Sequence, residues 1–219
     1  MTGPTQRLDN FTDAAFAFAV SLLVIGGAGA PATFDQLSKA LGEIPAFAFG
    51  FSIVLMFWMG HVRWRGLRSV GGGASWVLTL LLVFLVLIYI QPLRAMAAAT
   101  GLWFTGQGSG FRGSLSALFA VYGTGFVAMS LTMAALFTDA ARQQIDAADL
   151  QAARGERVIW LILAATGMVS IAVSMTRYGV WAAMVYATLP VSIGVFTRRF
   201  DWRGEKLSAP ELGESKAGS

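Results

Sequence analysis

The chain has 219 residues, 56% of them hydrophobic and only 13% charged, with a net charge of +4; a soluble domain carries nearly twice that charge fraction, so the composition points to a membrane protein. No cysteine is present, which excludes disulfides, thiolate metal sites and cysteine nucleophiles, and the single histidine, His61, leaves no HExxH zinc site and no pair of histidine ligands. The basic residues lie in short loops between apolar runs, a pattern that orients membrane proteins and is not the patch that binds nucleic acid.

Six apolar segments follow one another, at residues 8–26, 44–62, 76–97, 115–137, 158–176 and 179–197. Each is close to the roughly 20 residues that a helix needs to cross the hydrocarbon core. They predict an all-α integral membrane protein with six transmembrane helices in one domain over residues 1–203. The remaining 204–219 is small, polar and charged and reads as a disordered tail.

The first segment, Arg7 to Ile25, has a polar cluster at its start (Arg7, Asp9, Asn10, Thr12, Asp13) and one hydroxyl, Ser21, deep inside. Its acidic residues and long apolar run set it apart from a signal peptide, so it reads as mature structure. Ionised groups at a bilayer edge call for pairing or for a water-filled path. Arg7 and Asp13 are six apart, too far round a straight helix to pair directly, so their partners are expected elsewhere. Phe18, Leu22 and Ile25 fall at i, i+4 and i+7 and share one helix face. Repeated around a symmetry axis, that face makes a hydrophobic neck in a pore. The same stripe on a single helix faces lipid or a neighbouring helix equally well.

In the second segment Pro45 lies in the first turn, where its missing N–H costs little. Pro92 is expected to end or kink the third segment and Pro190 to bend the sixth. Between segments come the Gly-rich stretches Gly26–Gly29, Gly71–Gly73 and Gly106–Gly113. Gly108 to Gly113 fits G-x-G-x-x-G, but no strand precedes it, so no dinucleotide site follows. Tyr122-Gly123-Thr124-Gly125 resembles a potassium-filter loop, yet it runs straight through an apolar segment and reads as small residues allowing close helix packing. Arg63, Arg65 and Arg68 form a juxtamembrane basic cluster that sets topology, and Asp139 to Arg157 reads as a solvated helical extension. With both termini cytoplasmic, the 16 basic residues divide 12 inside to 4 outside, as the positive-inside rule requires.

The run Arg7-x-x-x-Phe11-Thr12-Asp13, followed by F-A-F-A-V-S-L-L-V, resembles the first-helix signature of the transmembrane protein 175 family of potassium channels. Phe57-Trp58-Met59-Gly60-His61 is similar to that family's Trp-x-x-His at the cytoplasmic end of helix two. The resemblance implies a homotetramer of single six-helix units, the prokaryotic form, in the cell membrane, with helix one lining the pore. It also implies that potassium passes Phe18, Ser21 and Leu22 transiently, with no cofactor. Thr12 replaces the motif serine and Ser21 a threonine, both keeping a hydroxyl. Phe18 stands where the family has isoleucine or leucine, which exchanges an aliphatic chain for a ring whose face attracts cations.

A carboxylate accepting hydrogen bonds from imidazole and indole would satisfy all three groups, so Asp13, Trp58 and His61 are expected to brace the cytoplasmic end of helix one. An ordinary interfacial belt of Trp and charged residues is the alternative. Functionally, a passive channel for potassium, and for protons as a further permeant ion, leads. A secondary transporter or small exporter is disfavoured by the lack of an internal repeat and of a midplane acid. A membrane-embedded enzyme is disfavoured by the lack of paired intramembrane carboxylates.

Overall fold

The computed structural model describes residues 4–25, 32–67, 72–104, 115–143, 146–176 and 179–200. Among these the protein is all-α: α1 (Pro4–Ile25), α2 (Phe34–Gly42), α3 (Ile44–Gly66), α4 (Gly73–Phe104), α5 (Leu115–Ala141), α6 (Ala147–Ser174), a 3-10 helix (Gly179–Thr188) and α7 (Leu189–Arg199). Four stretches among the described residues are long and apolar enough to cross a membrane: Ile44–Gly66, Gly73–Met96, Ser116–Ala141 and Ala147–Ser174. The glycine-rich stretches 26–29 and 106–113 and the expected tail fall outside the described residues.

The elements follow the apolar segments closely, with three differences. First, α4 runs through Pro92 to Phe104 instead of ending there. Second, the sixth segment is a 3-10 helix that gives way to α7, with Pro190 in α7's first turn. Proline removes an N–H and clashes one turn back, so a fresh helix start accommodates it better than a helix interior. Third, α2 is a helix that the apolar pattern does not announce. Thr33 and Gln36 cap its start reciprocally: the Gln36 amide donates to Thr33 Oγ1 (3.3 Å) and the Ala32 amide donates to Gln36 Oε1 (2.8 Å).

In a bilayer, lipid tails compete with side chains for apolar contact, so close backbone approach and tight packing decide which helices pair. The α5–α6 pairing is the most extensive, α4 packs on α5, and α1 lies against both α3 and α4. Gly123 shows how the small residues act: a Cβ there would meet Ile171 of α6 at 2.6 Å. The Tyr122–Gly125 stretch is thus a helix-packing surface within α5, as the sequence suggested. Leu82, Leu93, Met133, Leu136 and Phe137 are fully buried at the centre of the bundle.

α1 is two-faced. Leu8, Thr12, Phe16, Ala19 and Leu23 are buried against the bundle, and the Thr12 hydroxyl is satisfied inside its own helix by donating to the Leu8 carbonyl at 2.9 Å. Phe11, Ala14, Ala17, Phe18 and Ser21 are exposed on the other side.

Candidate functional site

The outward face of α1 carries Phe18, which is 56% exposed, and Ser21, whose hydroxyl donates to the Ala17 carbonyl at 3.0 Å. That bond occupies the single hydroxyl hydrogen and leaves oxygen lone pairs available on an otherwise apolar surface. Leu22 is turned further round, half-buried against the bundle core. Ile25 ends α1, and its side chain lies outside the described residues. Of the three residues expected on one stripe, Phe18 therefore stands most clearly free of the protomer's own packing.

Behind that face, α3 holds α1 from one flank. The Trp58 indole N–H donates to Asp13 Oδ1 at 2.9 Å. One helical turn nearer the N terminus of α1, Arg65 meets Asp9 with both ends of its fork: Nε lies 2.8 Å from Oδ1, and an Nη donates to Oδ2 at 2.9 Å. The spacings explain the match. Asp9 and Asp13 are i, i+4 on α1, while Trp58 and Arg65 are i, i+7 on α3, so each pair shares a face of its own helix. Alongside them an open groove of about 300 Å³ runs between α1 and α3, with Asp13 and Trp58 among its lining residues.

His61 does not join Asp13. It is buried, its ring lies 5.2 Å from that of Trp64, and Nε2 has no hydrogen-bond partner among the described residues. At 100° per residue, His61 is rotated by roughly 60° from Trp58, enough to carry it off the α1 face and into the core of the bundle. The expected three-part cluster is therefore a two-rung brace, Asp13–Trp58 and Asp9–Arg65. Arg7 is exposed at the start of α1, and Phe11 is 53% exposed.

A second seam ties α3 to α6 on its other side. Arg63 bridges to the nearly buried Glu156 at 3.1 Å, and Gly60 gives Trp160 room to lie against the α3 backbone. Trp160 also packs on Phe57, ring to ring at 5.2 Å. Arg63 and Arg65, two residues apart, point to opposite neighbours, so α3 is a strut between α1 and α6. At the same end of the bundle, Ser75 of α4 donates to Asp139 of α5 at 2.9 Å.

The stretch that contains both rungs of the brace is also the one that matches a known family. Residues 7–89 match the model described as endosomal/lysosomal potassium channel TMEM175. Over that stretch the chain is similar to the TMEM175 family. A curated protein from Marivirga tractuosa, named "Potassium channel", is 29% identical over 91 residues, covering 42% of this chain. The match spans only 36% of that relative's length. Two solved structures share the fold. One is the potassium channel MtTMEM175, a variant in complex with a Nanobody-MBP fusion protein: TM-score 0.77, 20% identity, 88% of this chain and 91% of that one. The other is described as a lysosomal potassium-selective channel TMEM175 homolog from Chamaesiphon minutus: TM-score 0.63, 21% identity, 90% of this chain and 98% of that one.

Sequence reasoning reached Asp13 and Trp58 but missed Asp9–Arg65 and Arg63–Glu156. The missed arginines look like topology charges, and only the faces of α3 show that each has a carboxylate waiting on a different helix.

Proposed function

We propose that this protein is a member of the TMEM175 family and a passive cation channel of the cell membrane that conducts potassium, with protons and other monovalent cations as further permeant ions. It assembles as a homotetramer of the prokaryotic single-unit form, with six crossings, both termini cytoplasmic and α1 of each copy lining the path. The match of residues 7–89 to the family model, the curated relative's name and the two similar folds support this reading. It is a transport role and not an enzymatic one, and it needs no cofactor beyond the permeant ion.

The observation that carries it is the two-faced α1: an apolar outward surface bearing Phe18 and the Ser21 hydroxyl, braced from behind through Asp9 and Asp13. Around an axis, Phe18, Leu22 and Ile25 form successive rings of a neck. A narrow apolar tube gives water and ions no replacement for lost hydration, so such a neck gates by dewetting. The Ser21 oxygen supplies a ligand beside it, and the Phe18 ring faces offer a weak attraction to a partly dehydrated cation. Arg65 and Trp58 hold Asp9 and Asp13 on the flank, which fixes how α1 presents these groups.

Reconstitution into liposomes tests the class of activity. Potassium is expected to run down its gradient with no coupled ion. Potassium accumulation driven uphill by a sodium or proton gradient would instead mark a secondary transporter.

A further inference from the structure

Gly50 of α3 lies behind α1 at the level of the neck, and we infer that it is a positioning residue for the ion path. The notch left by its missing side chain sets how far the C-terminal half of α1 leans toward the central axis. This rests on the proposed placement of α1 around that axis.

The contacts between α1 and α3 run in one antiparallel register. Asp9 meets Arg65, Asp13 meets Trp58, and Leu23 meets Gly50, so position rises along α1 as it falls along α3. The first two rungs are polar and lie toward the start of α1. The third is apolar and stands only about 3 Å along the helix from both Ser21 and Ile25. Between Trp58 and Gly50 the helices part around the open groove of about 300 Å³, lined by Phe16, Ala17, Val20, Val54 and Leu55. Of the three rungs, the one at Gly50 is therefore nearest the neck.

The fit at this rung is close. A Cβ at position 50 would meet Leu23 Cδ2 at 3.0 Å, Cδ1 at 3.1 Å and Cγ at 3.6 Å. The first two distances are shorter than ordinary contact between carbon atoms. Both methyls flank the same point, so swinging one of them aside does not clear it. Leu23 is 7% exposed and belongs to the buried core, which leaves its side chain little space to retreat. Helix propensity disfavours glycine inside a helix, and close backbone approach is what the residue supplies here. The push has a direction. At 100° per residue, Leu23 points about 140° from Phe18 and about 160° from Ile25 around α1. A side chain at position 50 therefore drives α1 toward the side that carries them, which narrows the neck without touching it.

Single-channel recording of the full chain tests this. Gly50→Ala is expected to lower the unitary potassium current about threefold and Gly50→Val about tenfold, with sodium permeability falling relative to potassium. A merely structural role would reduce the number of channels and leave unitary current and permeability ratio as they were. Leu23→Ala added to Gly50→Ala makes room for the new methyl, and should return the unitary current to within about twofold of wild type. This pair decides the matter even where Gly50→Val fails to fold. Wild-type unitary current in Gly50→Ala, or no recovery on adding Leu23→Ala, overturns the positioning role. Block of a Ser21→Cys channel by a charged thiol reagent reports separately on the path. Block there with wild-type Gly50→Ala currents leaves the α1 path standing and removes Gly50 from its control. Full labelling without block overturns both.

Discussion

Replacing Phe18 with alanine is expected to raise the leak current through reconstituted protein by roughly tenfold, which corresponds to lowering the barrier by about 1.4 kcal/mol. It should also increase sodium permeability relative to potassium. Phe18 is 56% exposed in the protomer, so losing its ring removes almost nothing from the bundle's own packing. In the proposed neck the same change removes one ring per copy at a single level, widening the tube and easing its wetting. Phe16 provides the contrast two residues earlier. It is 3% exposed, and Phe16→Ala should cost about 3–5 kcal/mol of stability, the usual penalty for a buried aromatic. Planar bilayer recordings of Phe18→Ala, paired with thermal unfolding, separate the two roles. Wild-type currents from a normally folded Phe18→Ala protein would remove Phe18 from the path.

Arg65→Glu should have the largest structural effect. The Arg65 side chain is 19% exposed and that of Asp9 32%, and the guanidinium grips the carboxylate with two nitrogens. Reversing the charge places a third carboxylate beside Asp9 and Asp13 in a partly desolvated seam. The expected loss is about 2–5 kcal/mol, set less by the missing pair than by the charges left unpaired. Detergent-solubilised protein should unfold at a lower temperature and lose the proposed oligomer. The exchange Asp9→Arg with Arg65→Glu should recover much of both. Arg65→Lys should recover less than wild type, since an ammonium cannot reproduce the fork. An unchanged unfolding midpoint in Arg65→Glu would show that the α1–α3 brace is held elsewhere.

Much of this fold is written in segment length and hydropathy, because the bilayer fixes how long an apolar helix must be. α3 and α5 begin and end near the apolar runs, whereas α4 runs on to Phe104 and α6 starts at Ala147, well before its run, and Pro45 marks the start of α3 as its missing N–H requires. The sixth segment was legible only as a bend at Pro190. That the preceding turns wind as a 3-10 helix depends on packing against α6, where the buried Ser170 hydroxyl donates to the Ala182 carbonyl at 2.9 Å. α2 was hidden because nine residues are too few for a hydropathy signal, although Thr33-x-x-Gln36 is a capping pattern that could have found it.

At the site, the chemistry of Asp13 and Trp58 was readable, since a carboxylate near a bilayer edge needs a donor and an indole has one. His61, about 60° round α3 from Trp58, is buried beside Trp64 instead of reaching the α1 carboxylate, which the spacing alone does not decide. Arg63 and Arg65 were read as charges that orient the chain. Their second role, pointing to Glu156 and Asp9 on opposite sides of α3, needs the three-dimensional arrangement of α1, α3 and α6. Phe18 and Ser21 are expected from the sequence to face a pore, and the fold adds only that both stand on the side of α1 turned away from its own bundle.

Placing a cysteine at Ser21 and adding a positively charged, membrane-impermeant thiol reagent during recording tests most directly whether that outward side carries the ions. The chain contains no other thiol, so any effect reports this position alone. Abrupt, irreversible block of the potassium current, with wild-type current untouched, is the result expected here. Complete labelling of the Ser21→Cys protein with its current unchanged would place the ion path elsewhere and contradict a pore built on α1.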